Sequence, residues 1–355
     1  MKKPVQLIAV VLLLMLLFTA CGSPSTDGDG KGTDQPAALK ACFITSTPRG
    51  NEFTDLIWSG FLQLEEEGWE VKCIETFETA EQAEQIRSMC QEGYSLVYTQ
   101  GDDVMTTAKD MMDELNEQYP DTYFIFLDTY AKTEYPNTVA VTIDPFEACF
   151  IAGYVAACKS ETGEIGLMMP LDTPIMRRFE YGYYAGIDYA NAQNGTSAKM
   201  TKAYTNDWVD TTKGYESTIA LISNYPSIDV IVQCAYISGY GAIQACADKN
   251  VPCIGVDDWQ GDINPIVFWS AVKSMDVAVY QTAQMWKNGE ELPFAMEFDL
   301  AAGGLAYAEV DLPNLGDELS AKVVQLKDDI ISGQVDVFAG AYEEWRETNF
   351  DQSGE

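Results

Sequence analysis

The sequence predicts an α/β protein of two doubly wound lobes, and three observations predict it. Short β-rich runs alternate with helical runs over most of the chain. Such alternation implies parallel sheets covered by helices on both faces. It passes through two rounds of similar length, which suggests two similar lobes. Beyond a polar N-terminal stretch roughly 315 residues remain, a length at which a single core gives way to two domains.

Taken in order, residues 41–45 (ACFIT) read as a strand, followed by a helix over 53–67. The next strand is 70–75 and the next helix 80–92. A third strand at 96–99 leads into a helix over 104–118, and 123–127 and 139–143 are further strands. The helix 146–159 carries apolar residues at helical spacing and opens the second round. That round runs strand 165–169, helix 174–192, strand 199–204, helix 211–224, strand 230–233, helix 239–248 and strand 253–256. Pro174 stands at a helix start, and Gly93 and Gly195 stand at helix ends, the expected punctuation.

The N-terminus reads as an export signal over residues 1–20. Met1-Lys2-Lys3 is basic, Val5 to Phe18 is almost wholly apolar, and small residues surround Cys21. The apolar run is shorter than the ~20 residues a spanning helix needs. Thr19-Ala20-Cys21-Gly22 resembles the bacterial lipobox, with Phe18 where Leu is usual. Cleavage there would leave a diacylated Cys21, and two acyl chains suffice for stable anchoring. An ordinary signal peptide with a chance cysteine is the alternative. Residues 22–38, rich in Gly, Ser, Asp and Pro, read as a flexible tether with a mean reach of about 20–25 Å. The expected location is the extracytoplasmic face of the cell membrane.

Composition excludes several classes. The formal charge is −34, from 55 acidic against 21 basic residues, so the chain would repel nucleic acid and anionic lipid. An apolar fraction of 47% argues against disorder. The chain has no histidine, which removes Ser-His-Asp and Cys-His catalysis and the commonest metal ligand. No catalytic residue, metal or cofactor is implied. Eight cysteines besides Cys21 (Cys42, Cys73, Cys90, Cys149, Cys158, Cys234, Cys246 and Cys253) form no Cys-x-x-Cys pair. They read as small core hydrophobes, with disulfides as the alternative in an exported protein.

In open parallel sheets ligands bind beyond the carboxyl ends of the strands. There stand Asp102 and Asp103, Asp128, Asp172, and Asp257 with Asp258, along with Asn51, Phe53, Trp208 and Trp259. Carboxylates accept paired hydrogen bonds from neighbouring hydroxyls, and aromatic rings stack on flat groups. The set suits a ligand carrying hydroxyls and a flat face. An Asp at a strand end also serves as an N-cap for the next helix, so any single one is open to that reading.

Five segments in order carry a resemblance. Asn51-Glu52-Phe53-Thr54 with Trp58 and Gly60 is similar to an opening "DxSFN…W.G". EACFIAG from Glu147 is similar to "EASYLAG", and PIMRRFEYGYYAG from Pro174 to "P.v.rF..Gf.aG". IGVD from Ile254, with Gln260, is similar to "iGVDsDQ", and SAVKSMDVAVY from Ser270 to "TSvvKnvDvAvy". These belong to the basic membrane protein, or PnrA-like, family of ABC-transporter substrate-binding lipoproteins. The likeness covers about residues 39 to 340.

The resemblance implies a type I periplasmic-binding-protein fold, two α/β lobes joined by three crossovers. Placed near Ile143, Pro265 and Gly289, the crossovers divide the chain into 39–143 plus 266–289 and 144–265 plus 290–340, with an acidic tail at 341–355. It also implies a purine nucleoside as ligand, ABC permease subunits as partners and a monomer. Phe53 and Trp208 would stack on the base, Asp257 and Lys273 would grip ribose hydroxyls, and Asp102 or Asp103 would reach the base edge or sugar. Asn51 and Thr54 belong to the same opening motif. Three positions depart from the family: Gly50 and Trp259 stand where it has Asp, and Thr54 where it has Asn. A different hydroxylated ring compound therefore stays open as ligand. A lipoprotein that senses its ligand and docks on a receptor, and a glycosidase built on paired carboxylates, are the competing functions.

Overall fold

A computed structural model describes residues 39–130 and 135–340, with Tyr342, Glu343 and Trp345 beyond them. The expected signal, Cys21 and the tether lie outside the described residues. The first round comprises β1 (Lys40–Thr45), α1 (Glu52–Glu66), β2 (Glu70–Glu75), α2 (Thr79–Gln91), β3 (Leu96–Gln100), α3 (Asp102–Asp110), α4 (Met112–Gln118), β4 (Tyr123–Leu127) and β5 (Thr138–Thr142). The second comprises α5 (Phe146–Lys159), β6 (Glu164–Met169), α6 (Pro174–Asn194), β7 (Lys199–Tyr204), α7 (Thr211–Asn224), β8 (Val230–Gln233), α8 (Gly239–Lys249) and β9 (Cys253–Gly255). The chain closes with β10 (Val267–Lys273), α9 (Met275–Lys287), β11 (Ala295–Glu297), β12 (Leu305–Tyr307), α10 (Leu312–Leu315) and α11 (Asp317–Ile331).

Two six-stranded sheets result, in the orders β11-β5-β4-β3-β1-β2 and β12-β10-β9-β8-β6-β7. Every pairing is parallel except β10 with β12. The central strands are near-continuous apolar runs because both faces are covered: Ala41–Ile44 and Leu96–Tyr98 are fully buried. The edge strands β2 and β7 instead carry Glu and Lys and are half-exposed, which blunts them against pairing with another chain. One apolar cluster runs through both lobes, and a smaller one lies on the other face of each sheet.

Helix α5 is apolar around most of its circumference and is buried accordingly. It lies so close to α6 that a Cβ on Gly186 would stand 1.9 Å from the Phe150 carbonyl oxygen. Helix α9 approaches α1 in the same way, where a Cβ on Gly60 would meet the Asp276 carbonyl oxygen at 2.7 Å.

Three differences from the sequence reading concern β10, β11 and the helix expected over 104–118. Strand β10 pairs with β9, and β11 pairs with β5. The chain therefore returns to the first lobe between Lys273 and Met275, not at Pro265. It leaves again between Glu297 and Leu305, not at Gly289. The first passage between the sheets lies between Thr142, the end of β5, and Phe146, the start of α5. The expected helix over 104–118 starts at Asp102 and divides at Met111 into α3 and α4. Part of the expected tail packs on the second lobe. Tyr342 donates to Asp188 at 2.7 Å, and Trp345 stacks on Tyr181 at 4.4 Å between centroids. The eight described cysteines are free thiols, most of them buried. No helix among the described residues is long and apolar enough to cross a membrane.

Candidate functional site

Each sheet reverses its strand order at one point, between β1 and β3 in the first and between β6 and β8 in the second. The carboxyl ends at such a point form a natural crevice. Here the two crevices face each other and enclose a cleft of about 480 Å³. The first lobe supplies Ser46 and Thr47 after β1, Phe53 on α1, Gln100 at the end of β3, Asp102 at the start of α3, and Asp128 after β4. The second supplies Met176 and Phe179 from α6, Trp208 after β7, Tyr236 after β8, Asp257 after β9 and Lys273 at the end of β10.

Three aromatic rings gather in the cleft, Tyr236 standing edge-on to the other two. Tyr236 meets Phe53 edge-on at 6.4 Å between centroids and 83° between planes. It meets Trp208 at 6.4 Å and 70°. Trp208 is 36% exposed and sits at the rim.

A charged group stands beside the rings. Lys273 Nζ donates to Asp128 Oδ1 at 2.6 Å, an ion pair that joins the second lobe to the first. The same ammonium lies 5.7 Å from the ring centroids of both Phe53 and Phe179. Burial alone would lower the pKa of Lys273, but Asp128 and Asp257 outweigh it and the net shift is upward. The Lys273 backbone N–H donates to the Asp257 carbonyl at 2.9 Å. Burial pushes the Asp257 carboxyl up to about 6, with Lys273 opposing the shift and Asp128 reinforcing it. Asp128, Tyr236 and Asp257 all hold left-handed backbone, at φ 59, 52 and 70°. Strain of this kind gathers where structure serves a site.

The lobes touch across the cleft mouth. The Tyr240 hydroxyl on α8 donates to the Glu52 carboxylate on α1, and Tyr236 covers Phe53. With the Lys273–Asp128 pair, these contacts hold a closed arrangement.

Of the residues singled out from sequence, Phe53, Asp102, Trp208, Asp257 and Lys273 line the cleft. Asn51, Thr54 and Asp103 do not. Asn51 caps α1, its side chain accepting from the Thr54 backbone N–H at 3.0 Å. Thr54 is buried, with its hydroxyl 3.0 Å from that of Thr47. Asp103 accepts from Ser46 Oγ at 2.5 Å and from Gln82 Nε2 at 2.6 Å. Burial raises its pKa, but these bonds win and hold it below the usual range. All three brace the loops that carry the cleft. Lys273 ends β10 and is buried.

Gly50 and Trp259, two departures from the family pattern, also lie outside the cleft. Gly50 borders a shallow depression with Asp55 and Asp258, and Trp259 Nε1 donates to Asp311 at 3.1 Å. Asp172, another strand-end acid, pairs with Arg177 at 2.7 Å on the surface. Phe179 and Tyr236 were missed as site residues, and Asp128 was named among the strand-end acids without a role. Tyr236 also obeys the strand-end rule, and Phe179 follows Met176 by one helical step of three, which puts both on one face. No group of three or more Cys, Asp or Glu among the described residues is arranged to hold a metal ion.

The profile of a family described as ABC transporter substrate-binding protein, PnrA-like, matches residues 39–339. The chain belongs to this family. PnrA-like proteins are substrate-binding components of ABC transporters and not enzymes. The ABC transporter nucleoside-binding protein BmpA of Lactococcus lactis is 26% identical over 365 residues, covering 95% of this chain and 99% of its own. A basic membrane protein of Borrelia garinii is 24% identical over 333 residues, covering 90% of this chain and 94% of its own. The crystal structure of an ABC transporter solute-binding protein from Aeropyrum pernix shares the fold. It superposes with a TM-score of 0.71 at 20% identity, covering 89% of this chain and 99% of that one. The PnrA-like chain has the type I periplasmic-binding fold expected of it.

Proposed function

We propose that this protein captures a purine nucleoside, or a similar flat ring compound bearing neighbouring hydroxyls, and delivers it to the permease subunits of an ABC importer. It would do so as a monomer outside the cytoplasmic membrane, tethered through a diacylated Cys21. The observation that carries the ligand reading is the meeting of aromatic rings and charged groups in one cleft. Phe53, Trp208 and Tyr236 line it together with Asp102, Asp257 and Lys273. A base stacks on the rings, each good aromatic pair adding roughly 0.5–1.5 kcal/mol beyond its area burial. Ribose hydroxyls donate to the carboxylates and accept from the ammonium. The nucleoside-binding relative in Lactococcus lactis supports the same ligand class.

Charge selects against nucleotides. Asp102, Asp128 and Asp257 face the cleft against one ammonium, so a phosphate would meet net negative charge. Because both lobes contribute, the ligand favours the closed state by its differential affinity for that state.

Calorimetric titration of the intact protein with nucleosides, nucleotides, free bases and ribose tests this reading. Purine nucleosides should bind, nucleotides should not, and Trp208→Ala should weaken binding by about tenfold through lost stacking. Binding of ribose or other sugars with no nucleoside binding would refute the ligand while leaving the transport role intact.

A further inference from the structure

Tyr236 holds a backbone conformation that its side chain disfavours. Five described non-glycine residues have positive φ, and the other four are Asn or Asp, which tolerate it. Tyr236, at φ 52°, is the only bulky one among the described residues. Left-handed backbone at a large aromatic residue persists only where the surroundings enforce it. Here they place the ring between Phe53 of the first lobe and Trp208 of the second, 6.4 Å from each and at 83° and 70° to their planes.

The Tyr236 hydroxyl is buried and makes no hydrogen bond of ordinary geometry, as is the case for those of Tyr130, Tyr183 and Tyr204. Its polar surroundings are the hydroxyls of Thr54 and Thr47 in the first lobe, which act on its pKa against the upward push of burial. Those hydroxyls already serve each other at 3.0 Å, and Thr47 also serves Gln100 at 2.8 Å. The phenol thus seats against a satisfied polar surface.

We infer that Tyr236 is the residue that sets the length of flat ring the closed cleft accepts. The inference rests on the proposed stacking of a flat ring on Phe53 and Trp208. The Tyr236 side chain forms the end wall of that slot. It seats on Thr47 and Thr54 only when the lobes have closed, so a ring too long for the slot pushes it off its seat. The lobes then stay apart, and the over-long ligand forfeits every contact made only in the closed state. Selection comes from the ring as a steric wall, which separates it from the carboxylates and lysine that hold hydroxyls.

The test is calorimetric titration of the intact wild-type protein, Tyr236→Gly, Tyr236→Asn and Tyr236→Phe with three probes of graded length: uridine, adenosine and the tricyclic etheno derivative of adenosine. Glycine and asparagine both suit the left-handed backbone, so these variants retain the fold, and their thermal midpoints verify it. Wild type should prefer adenosine to the tricyclic probe by at least about tenfold, and the two small variants should erase that preference. Tyr236→Phe keeps the wall and should keep the wild-type ratio. An unchanged ratio in the Gly and Asn variants, or an equal loss in Tyr236→Phe, overturns the inference. If wild type binds none of the three probes, the flat-ring reading itself fails, and this inference fails with it.

Discussion

Replacing Lys273 with Met removes the cation that pairs with Asp128 and opposes the shift of Asp257, while keeping an unbranched side chain of similar reach. The lysine is 5% exposed and Asp128 is 14% exposed, with 2.6 Å between Nζ and Oδ1. Breaking a buried pair by deleting one partner costs about 3–5 kcal/mol, because the other charge is left without compensation. Against a native stability on the order of 5–15 kcal/mol, that is a large fraction. The loss depends on pH, and its sign follows from protonation. Asp257 already sits at about 6 with the lysine opposing the shift, so without the lysine it rises further. A folded-state pKa above the unfolded value means the folded protein binds more protons over the intervening range. Stability is then greater at low pH and falls as pH rises through the folded pKa. The difference between Lys273→Met and wild type should therefore be largest near pH 8 and should shrink by pH 5. Urea unfolding followed by tryptophan fluorescence at the two pH values measures it. A loss below about 1 kcal/mol at pH 8, the scale of an exposed ion pair, would refute the reasoning. So would a loss that does not change with pH.

Asp257 must ionise to accept hydroxyls well, so ligand affinity should fall as pH drops below about 6, with a proton released on binding there. Titration in two buffers of different ionisation enthalpy detects that proton, and constant affinity from pH 5 to 7 would count against it. Tyr240→Phe removes the hydroxyl that reaches Glu52 across the cleft mouth. It should speed ligand dissociation several-fold in stopped-flow measurements while association stays close to wild type. Gly186→Ala places a methyl 1.9 Å from the backbone oxygen of Phe150. Overpacking of this kind costs typically 1–3 kcal/mol, and a thermal midpoint equal to wild type would show that α5 and α6 can separate freely.

Strand-helix alternation made the lobes legible because buried parallel strands must be apolar on both faces. The same logic failed at the ends of the chain. Strands β11 and β12 are three residues each, too short to carry a period. Strand β10 stayed hidden because the helical spacing of α9 begins almost directly after it. Strand-end reading found Asp102, Trp208 and Asp257 because topology puts every such end at the cleft. It could not separate Asp102 from Asp103. That distinction depends on Gln82, far away in sequence, which captures one carboxylate and leaves the other facing the cleft. Asn51 and Thr54 misled for a similar reason: a capping residue and a ligand-binding one carry the same polar atoms. Tyr236 was hidden because nothing in the local sequence announces left-handed backbone at an aromatic residue. Family resemblance located the pocket motif at Gly50 and Trp259, yet the folded chain turns both away from the cleft.

The central claim is that the cleft holds a flat, hydroxylated ring among its aromatic and charged groups. Native mass spectrometry of the intact protein, as purified and after addition of nucleosides, bases and sugars, tests it most directly. The account predicts a single bound mass matching a purine nucleoside, lost in Trp208→Ala and in Asp257→Ala. Sugar adducts alone, or nucleoside adducts that survive both substitutions, would contradict it.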